Sequence, residues 1–323
     1  MPFKVGVDDI NSVVSLRNRS LLSIADLSKS EIDLILDTAS LLKATIKKDP
    51  AAHHSILAGR TLAMIFEKPS LRTRVTFETG MTQLGGHAIY LAPADIQLGV
   101  RETVPDVAMN LSRWVDVIMA RVFAHSTVKG LADNASIPVI NGLSDLEHPC
   151  QALADFQTIR EHKGEFKGLK LAFIGDGNNV AHSLMLLAAK VGMHFAIACP
   201  EGYDPLSDIV EQAREFAAKT GSVIDVVRDP YAAVTGADAL YTDVWTSMGQ
   251  EAEKKERARI FAPYQVNQAL LSAAKPNAIV LHCLPAHRGE EITAEVLDGP
   301  QSVVLDEAEN RLHAQKAVLA LTV

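Results

Sequence analysis

Short apolar runs alternate with longer amphipathic segments along this chain, and that alternation narrows the possible folds more than any other feature. Residues 61–66 (TLAMIF) form a continuous apolar run of strand length. Residues 70–84, opened by the Pro69-Ser70 pair, carry a helical pattern, and residues 87–91 are again strand-like. The order recurs, with helix over 104–114, strand over 117–122, helix over 128–135 and a short strand at 138–140. In the second half, strands are expected at 170–174, 194–198, 223–227, 239–242 and 278–281, and helices at 180–191 and 206–219. Apolar strands alternating with helices mean βαβ units and mostly parallel sheets, an α/β class.

At about 150 residues per domain, a chain of 323 residues holds two domains. The boundary falls at a long helical segment, 147–162, followed by a charged, Gly-bounded loop at 163–168. The first domain then covers 1–147 and the second 148–307, with a last helix over about 308–323. Hydrophobic residues make up 48% and charged residues 22%, which suits a globular chain and excludes extensive disorder. No apolar run approaches the roughly 18 residues of a membrane span. The net charge of −8 is a poor footprint for a nucleic-acid binder. It still allows a phosphorylated small substrate, because a few local arginines suffice. Cys150, Cys199 and Cys283 are far apart and show no zinc-ligand spacing, which fits a reducing compartment. Asp8 and Asp9 speak against a transit peptide, so a cytoplasmic location is expected.

Five segments could carry chemistry. In FEKPSLRTR, residues 66–74, a strand runs into a helix start. Free N–H groups at a helix N-terminus attract anions, and Ser70, Thr73 and Arg72 add donors suited to phosphate. An ordinary capped helix with surface arginines explains the same residues equally well. In His148-Pro149-Cys150-Gln151, His148 and Gln151 share one helix face. Such a pair can grip a carbonyl oxygen and an NH₂ group, although a lone histidine is more often structural. GDGNN at 175–179 resembles a dinucleotide fingerprint, with Glu201 at the spacing of a ribose contact. Val180 replaces its third glycine, which disfavours a nicotinamide cofactor and leaves a small-molecule contact from Asn179 as the alternative.

The fourth segment, DVWTSMG at 243–249, follows a strand at the edge where α/β proteins place ligands. Asp243 there could hold an ammonium, or the segment could be a plain surface loop. The fifth is HCLPAHRGEE at 282–291, where Cys283 is either a thiol nucleophile or a buried strand-end cysteine. His282 precedes it on a strand and faces the other way, so a direct pair of the two is not expected. The charged run at 251–259 is expected to be a solvated helix, and His53-His54 a surface pair near a loop.

Taken in order, FEKPSLRTR, ARVF around Arg121, NGLSDLEHPCQ, FIGDGNN, DVWTSMGQE, HCLPAHRGEE and EAENR resemble the aspartate/ornithine carbamoyltransferase family, from about residue 20 onward. Seven motifs in one order are specific where each alone is not. The resemblance implies two doubly wound parallel-sheet domains joined by interdomain helices. The first would bind carbamoyl phosphate and the second an amino acid, with the last helix returning to the first. It implies homotrimers or multiples of trimers, and no metal or organic cofactor. The implied reaction moves the carbamoyl group to the δ-amine of L-ornithine, giving L-citrulline and phosphate, in arginine biosynthesis and the chemistry it shares with the urea cycle.

Carried over by position, Ser70, Leu71, Arg72 and Thr73 would bind the phosphate, assisted by Arg121 and by Gln97 from a neighbouring subunit. His148 and Gln151 would hold the carbamoyl oxygen and nitrogen, with Arg311 adding charge near that oxygen. Asn179, Asp243, Ser247 and Met248 would bind ornithine. Cys283 and Leu284 would line the reacting centre, with the Leu284 carbonyl toward the carbamoyl NH₂. The catalytic set implied is Arg72, Arg121, His148, Asp243, Cys283 and Arg311. One departure stands out: the family usually has Thr where this chain has Leu71. Alternatives are a sister enzyme for acetylornithine, succinylornithine, putrescine or aspartate, a nicotinamide-dependent dehydrogenase, or a silent homologue.

Overall fold

The computed structural model describes residues 16–246 and 251–323. Asp8, Asp9, Ser247 and Met248 lie outside the described residues. The chain divides into two compact units: residues 1–157 with 309–323, and residues 158–308.

In the first unit, α1 (Lys29–Ile46) opens with a capping box between Ser28 and Glu31. There follow β1 (Thr61–Phe66), α2 (Leu71–Gln83), β2 (His87–Leu91), the short α3 (Pro93–Ile96), α4 (Val104–Leu111), β3 (Val117–Arg121), α5 (His125–Asn134), β4 (Val139–Leu143) and the start of α6 (Pro149–Lys163). The strands are parallel, in the order β2-β1-β3-β4. β1 and β3 sit centrally and are buried along nearly their whole length, as strands covered on both faces must be. Ala63, Ile65, Ile118 and Ala120 pack there against Val107 and Leu111 of α4 and Val128 and Leu131 of α5. α4 ends three residues before the expected 114, because Ser112 caps it.

The surface expectation for His53 is wrong. The residue is fully buried, with Nε2 2.6 Å from Thr45 Oγ1. The Thr45 hydroxyl already donates to Leu41 O, so the imidazole donates from Nε2 and accepts at Nδ1 from Lys316 Nζ at 3.0 Å. Lys316 belongs to the last helix, α13 (Val304–Thr322), and also donates to Gln83 Oε1 at 2.9 Å.

The second unit holds β5 (Lys170–Ile174), α7 (Asn179–Val191), β6 (His194–Ala198), α8 (Ser207–Thr220), β7 (Ile224–Val227), α9 (Pro230–Val234), β8 (Ala239–Thr242), α10 (Lys254–Phe261), α11 (Gln268–Leu271), β9 (Ile279–His282) and α12 (Ala294–Leu297). Its strands are parallel in the order β7-β6-β5-β8-β9. α7 is apolar on nearly every face and buried except at Asn179 and Lys190, whereas α8 buries the stripe Ile209, Val210, Ala213 and Ala217.

The charged run at 251–259 was expected to be one solvated helix. It is instead a 3₁₀ turn, Glu251–Glu253, leading into α10, and Arg257 within it is buried. Each sheet reverses its winding once, between β1 and β3 and between β5 and β8. Crevices at such switch points, beyond the carboxyl ends of the strands, are where open α/β sheets bind ligands. Among the described residues no helix is long and apolar enough to cross a membrane.

Candidate active site

At the first switch point, the chain leaves β1 and turns into α2. Ser70 is the N-cap: its Oγ accepts from Thr73 N–H at 3.3 Å. Leu71 and Arg72 occupy the first turn, where N–H groups lack intrahelical acceptors. The Leu71 side chain is 74% exposed, so that position offers only its backbone.

Thr73 Oγ1 is the meeting point of the cluster. It accepts from Arg121 Nη1 at 3.4 Å and from Arg311 Nη2 at 3.2 Å. Arg121 ends β3, and Arg311 comes from α13; both are buried. Arg311 Nη1 also donates to Gln151 Oε1. His148, just before α6, is buried beside them. Burial holds its pKa well below the usual imidazole range, and Arg311, Arg121 and Arg72 push it further down. The imidazole is therefore neutral, able to donate one hydrogen bond without adding a fourth positive charge.

Gln97 stands apart from this cluster. It caps α3 in the left-handed region, at φ 44°, and is exposed. Its hydrogen bonds among the described residues are made by its backbone, to Pro93 O and from Val100 and Arg101 N–H.

At the second switch point, Asn178 caps α7: its Oδ1 accepts from Val180 and Ala181 N–H. Its Nδ2 donates to Asp243 Oδ2 at 2.9 Å. Asp243 Oδ1 accepts from Val244 N–H at 2.8 Å and from the Cys283 thiol at 3.0 Å. The carboxylate at the end of β8 is thus fixed from three sides. Asn179 is the first residue of α7, one step beyond the cap. Leu284 follows Cys283 with φ 56°, a costly conformation for a non-glycine residue. It is held there by its N–H donating to His282 Nδ1 at 2.9 Å.

His282 and Cys283 do not pair with each other. His282 Nε2 donates to the buried Glu291 at 3.1 Å. Burial opposes ionisation of Glu291, but hydrogen bonds from His282 and the His287 N–H hold its pKa below normal. Asp243, His282 and Cys283 present ligand-type atoms within 4.8 Å of one another. Both ring nitrogens of His282 are already committed, so the trio is a hydrogen-bonded cluster rather than a metal cradle.

Sequence reasoning missed Arg257. Its side chain donates to Trp245 O and to Asp176, and stacks over the Tyr203 and Phe261 rings at 4.7 and 5.1 Å. It thereby ties the turn after β5 to the segment after β8. Burial drives the Asp176 pKa up to about 6 against the pull of Arg257.

The profile described as the carbamoyl-P binding domain of aspartate/ornithine carbamoyltransferase matches residues 19–161, and the corresponding Asp/Orn binding domain matches 167–322. The chain belongs to the aspartate/ornithine carbamoyltransferase family. Among similar family members, a protein of Thermococcus kodakarensis named ornithine carbamoyltransferase is 56% identical over 96% of this chain and 98% of its own length. A Pyrococcus furiosus protein named anabolic ornithine carbamoyltransferase is likewise 56% identical, over 96% of this chain and 98% of its own. A solved structure of ornithine carbamoyltransferase from Pyrococcus furiosus superposes with a TM-score of 0.93 at 56% identity, covering 96% of this chain and 98% of that one.

Family membership sets aside the dinucleotide reading of GDGNN, and the turn gives the physical reason. A Cβ on Gly177 would lie 2.1 Å from Pro205 N. The open face of this glycine is filled by the chain's own backbone, leaving no approach for a pyrophosphate.

Proposed function

We propose that the chain transfers the carbamoyl group of carbamoyl phosphate to the δ-amine of L-ornithine, giving L-citrulline and phosphate, in arginine biosynthesis. The carrying observation is the convergence of two buried guanidinium groups on Thr73 Oγ1 beside a histidine kept neutral. Relatives bearing the ornithine carbamoyltransferase name at 56% identity support the same activity.

In this mechanism the α2 N-terminus, Ser70, Thr73 and Arg72 receive the phosphate, with Leu71 contributing its N–H and Gln97 assisting from a neighbouring subunit. Arg121 and Arg311 balance the charge that builds on the leaving phosphate and the carbamoyl oxygen. Neutral His148 donates to that oxygen, and Gln151 Oε1, which has a second lone pair, accepts from the carbamoyl NH₂. Asp243 pairs with the ornithine α-ammonium, with Asn179, Ser247 and Met248 completing the acceptor pocket.

The δ-amine attacks directly once neutral, and no covalent enzyme intermediate forms. Cys283 binds and positions: its thiol proton is committed to Asp243, which is unsuited to nucleophilic attack. The Leu284 carbonyl faces the carbamoyl NH₂. A pairing through Asp243 also explains the choice of ornithine over acetylornithine and succinylornithine, whose α-nitrogen carries no charge.

The assembly in this proposal is a homotrimer or a multiple of trimers, working in the cytoplasm. Exposed Val75 on α2 and Ile89 on the edge strand β2 supply apolar surface for self-association. The deciding experiment is a product assay with carbamoyl phosphate and ornithine, acetylornithine, succinylornithine, putrescine or aspartate. Citrulline from ornithine alone is expected. Turnover of another amine with none of ornithine would refute the acceptor assignment, and no turnover at all would refute the activity.

A further inference from the structure

Asp155 lies one helical turn beyond Gln151 on α6 and is fully buried. Gln151 Nε2 donates to Asp155 Oδ1 at 2.7 Å, while Gln151 Oε1 accepts from Arg311. A primary amide is nearly symmetric in shape, and only its partners decide which end faces which way. Asp155 Oδ1 is an acceptor, so it takes the NH₂ end. A guanidinium only donates, so it takes the oxygen. Asp155 and Arg311 therefore hold the amide of Gln151 from opposite ends in one orientation.

We propose that Asp155 is a positioning residue for carbamoyl transfer: it fixes the flip of the Gln151 amide so that Oε1, not NH₂, meets the carbamoyl nitrogen. This rests on the proposed role of Gln151 and adds a residue with no contact to the substrate. A flipped amide would set NH₂ against both Arg311 and the carbamoyl NH₂, donor against donor on two sides. Placing the constraint on the same helix as Gln151, at i and i+4, makes the lock local and stiff. Asp155 acts through Gln151 on the carbamoyl group, whereas the phosphate is received by the α2 N-terminus.

The test is a double-mutant cycle on the full-length enzyme, with the unfolding midpoint recorded for each variant. Asp155→Asn keeps size and one acceptor oxygen but can also donate, so it no longer excludes the flipped amide. It should lower kcat/KM for carbamoyl phosphate on the order of tenfold. The dissociation constant for inorganic phosphate should stay within about twofold. In a Gln151→Leu background the same change should cost less than about twofold, because nothing remains to orient.

An undiminished loss in that background, or an equal loss of phosphate affinity, would overturn the proposal. Gln151→Leu alone reports on the underlying site: no loss there refutes the role of Gln151, whereas a loss there with none in Asp155→Asn refutes only the lock. Gln151→Glu supplies an independent arm, since it sets two carboxylates face to face. Adding Asp155→Asn restores a donor–acceptor pair in reversed order and should recover about tenfold in kcat/KM. A double variant no better than Gln151→Glu would count against the proposal.

Discussion

Asn178 Nδ2 donates to Asp243 Oδ2 at 2.9 Å, so the residue that caps α7 also orients the carboxylate at the end of β8. Asp243→Asn should raise KM for ornithine by about a hundredfold, the scale of a lost charged partner, with carbamoyl phosphate affinity within about twofold. Asn178→Ala should show a smaller effect of the same kind. It should also cost about 1 kcal/mol of stability through the lost cap. Steady-state kinetics against each substrate, with denaturant unfolding, check both.

Leu71 departs from the Thr usual in its family, yet its side chain is 74% exposed. A hydroxyl added there meets nothing in the unit, and the helix-start N–H is unchanged. Leu71→Thr should leave carbamoyl phosphate binding within about twofold, whereas Ser70→Ala should weaken it and cost about 1 kcal/mol as a lost cap. Calorimetric titration of both variants separates the two outcomes.

Asp176 gives the acceptor side a pH dependence. Its pKa rises from 3.8 to about 6, chiefly through burial, with Arg257 opposing. Below about 6 the carboxyl protonates and releases its charge from Arg257, loosening the tie to Trp245 and the segment holding Asp243. The expected result is a fall in kcat/KM for ornithine as pH drops through 6, an inflection absent from Asp176→Asn. The native state binds this proton more readily than the unfolded chain, so the stability Asp176 contributes is greatest below 3.8 and is lost as pH rises through about 6.

Lys316 should be visible in the alkaline range. Burial lowers its pKa from 10.5 to about 8, and its partners are the neutral His53 and Gln83. His53 and His313, both lowered to about 4, are uncharged throughout that range. Between about 8 and 10.5 the unfolded chain holds a proton the native state has shed, so stability rises with pH, by an amount on the order of 3 kcal/mol. Unfolding midpoints measured from about pH 7.5 to about 10.5 should climb in the parent and flatten in Lys316→Met.

Much of the fold was legible because its strands are buried on both faces. β1 appears as an uninterrupted apolar run, and its predicted bounds, 61–66, match the observed strand. The Pro69-Ser70 pair located the start of α2, because capping is a short-range rule, whereas α7 was expected from 180 and begins one residue earlier, behind the Asn178 cap. What remained hidden depended on distant partners. Nothing in a run as charged as EAEKKERAR marks Arg257 for burial; that follows from the Tyr203 ring and the Asp176 carboxylate, both far away in sequence, together with Phe261 one turn along the same helix. His53 looked like a surface residue because its partner, Lys316, lies 263 positions further on. Asp155 reads in the sequence as any polar helix residue, because Arg311, with which it shares the Gln151 amide, comes from the last helix.

The two switch points belong to separate sheets, each with its own hydrophobic core. On the proposed function, recognition of the carbamoyl donor and recognition of the amine are encoded in different parts of the molecule. A new amine preference would then arise by altering the turns after β5 and β8 while the proposed phosphate cradle on α2 keeps its sequence and its packing. Such an architecture lets a lineage keep one activated donor and explore many acceptors.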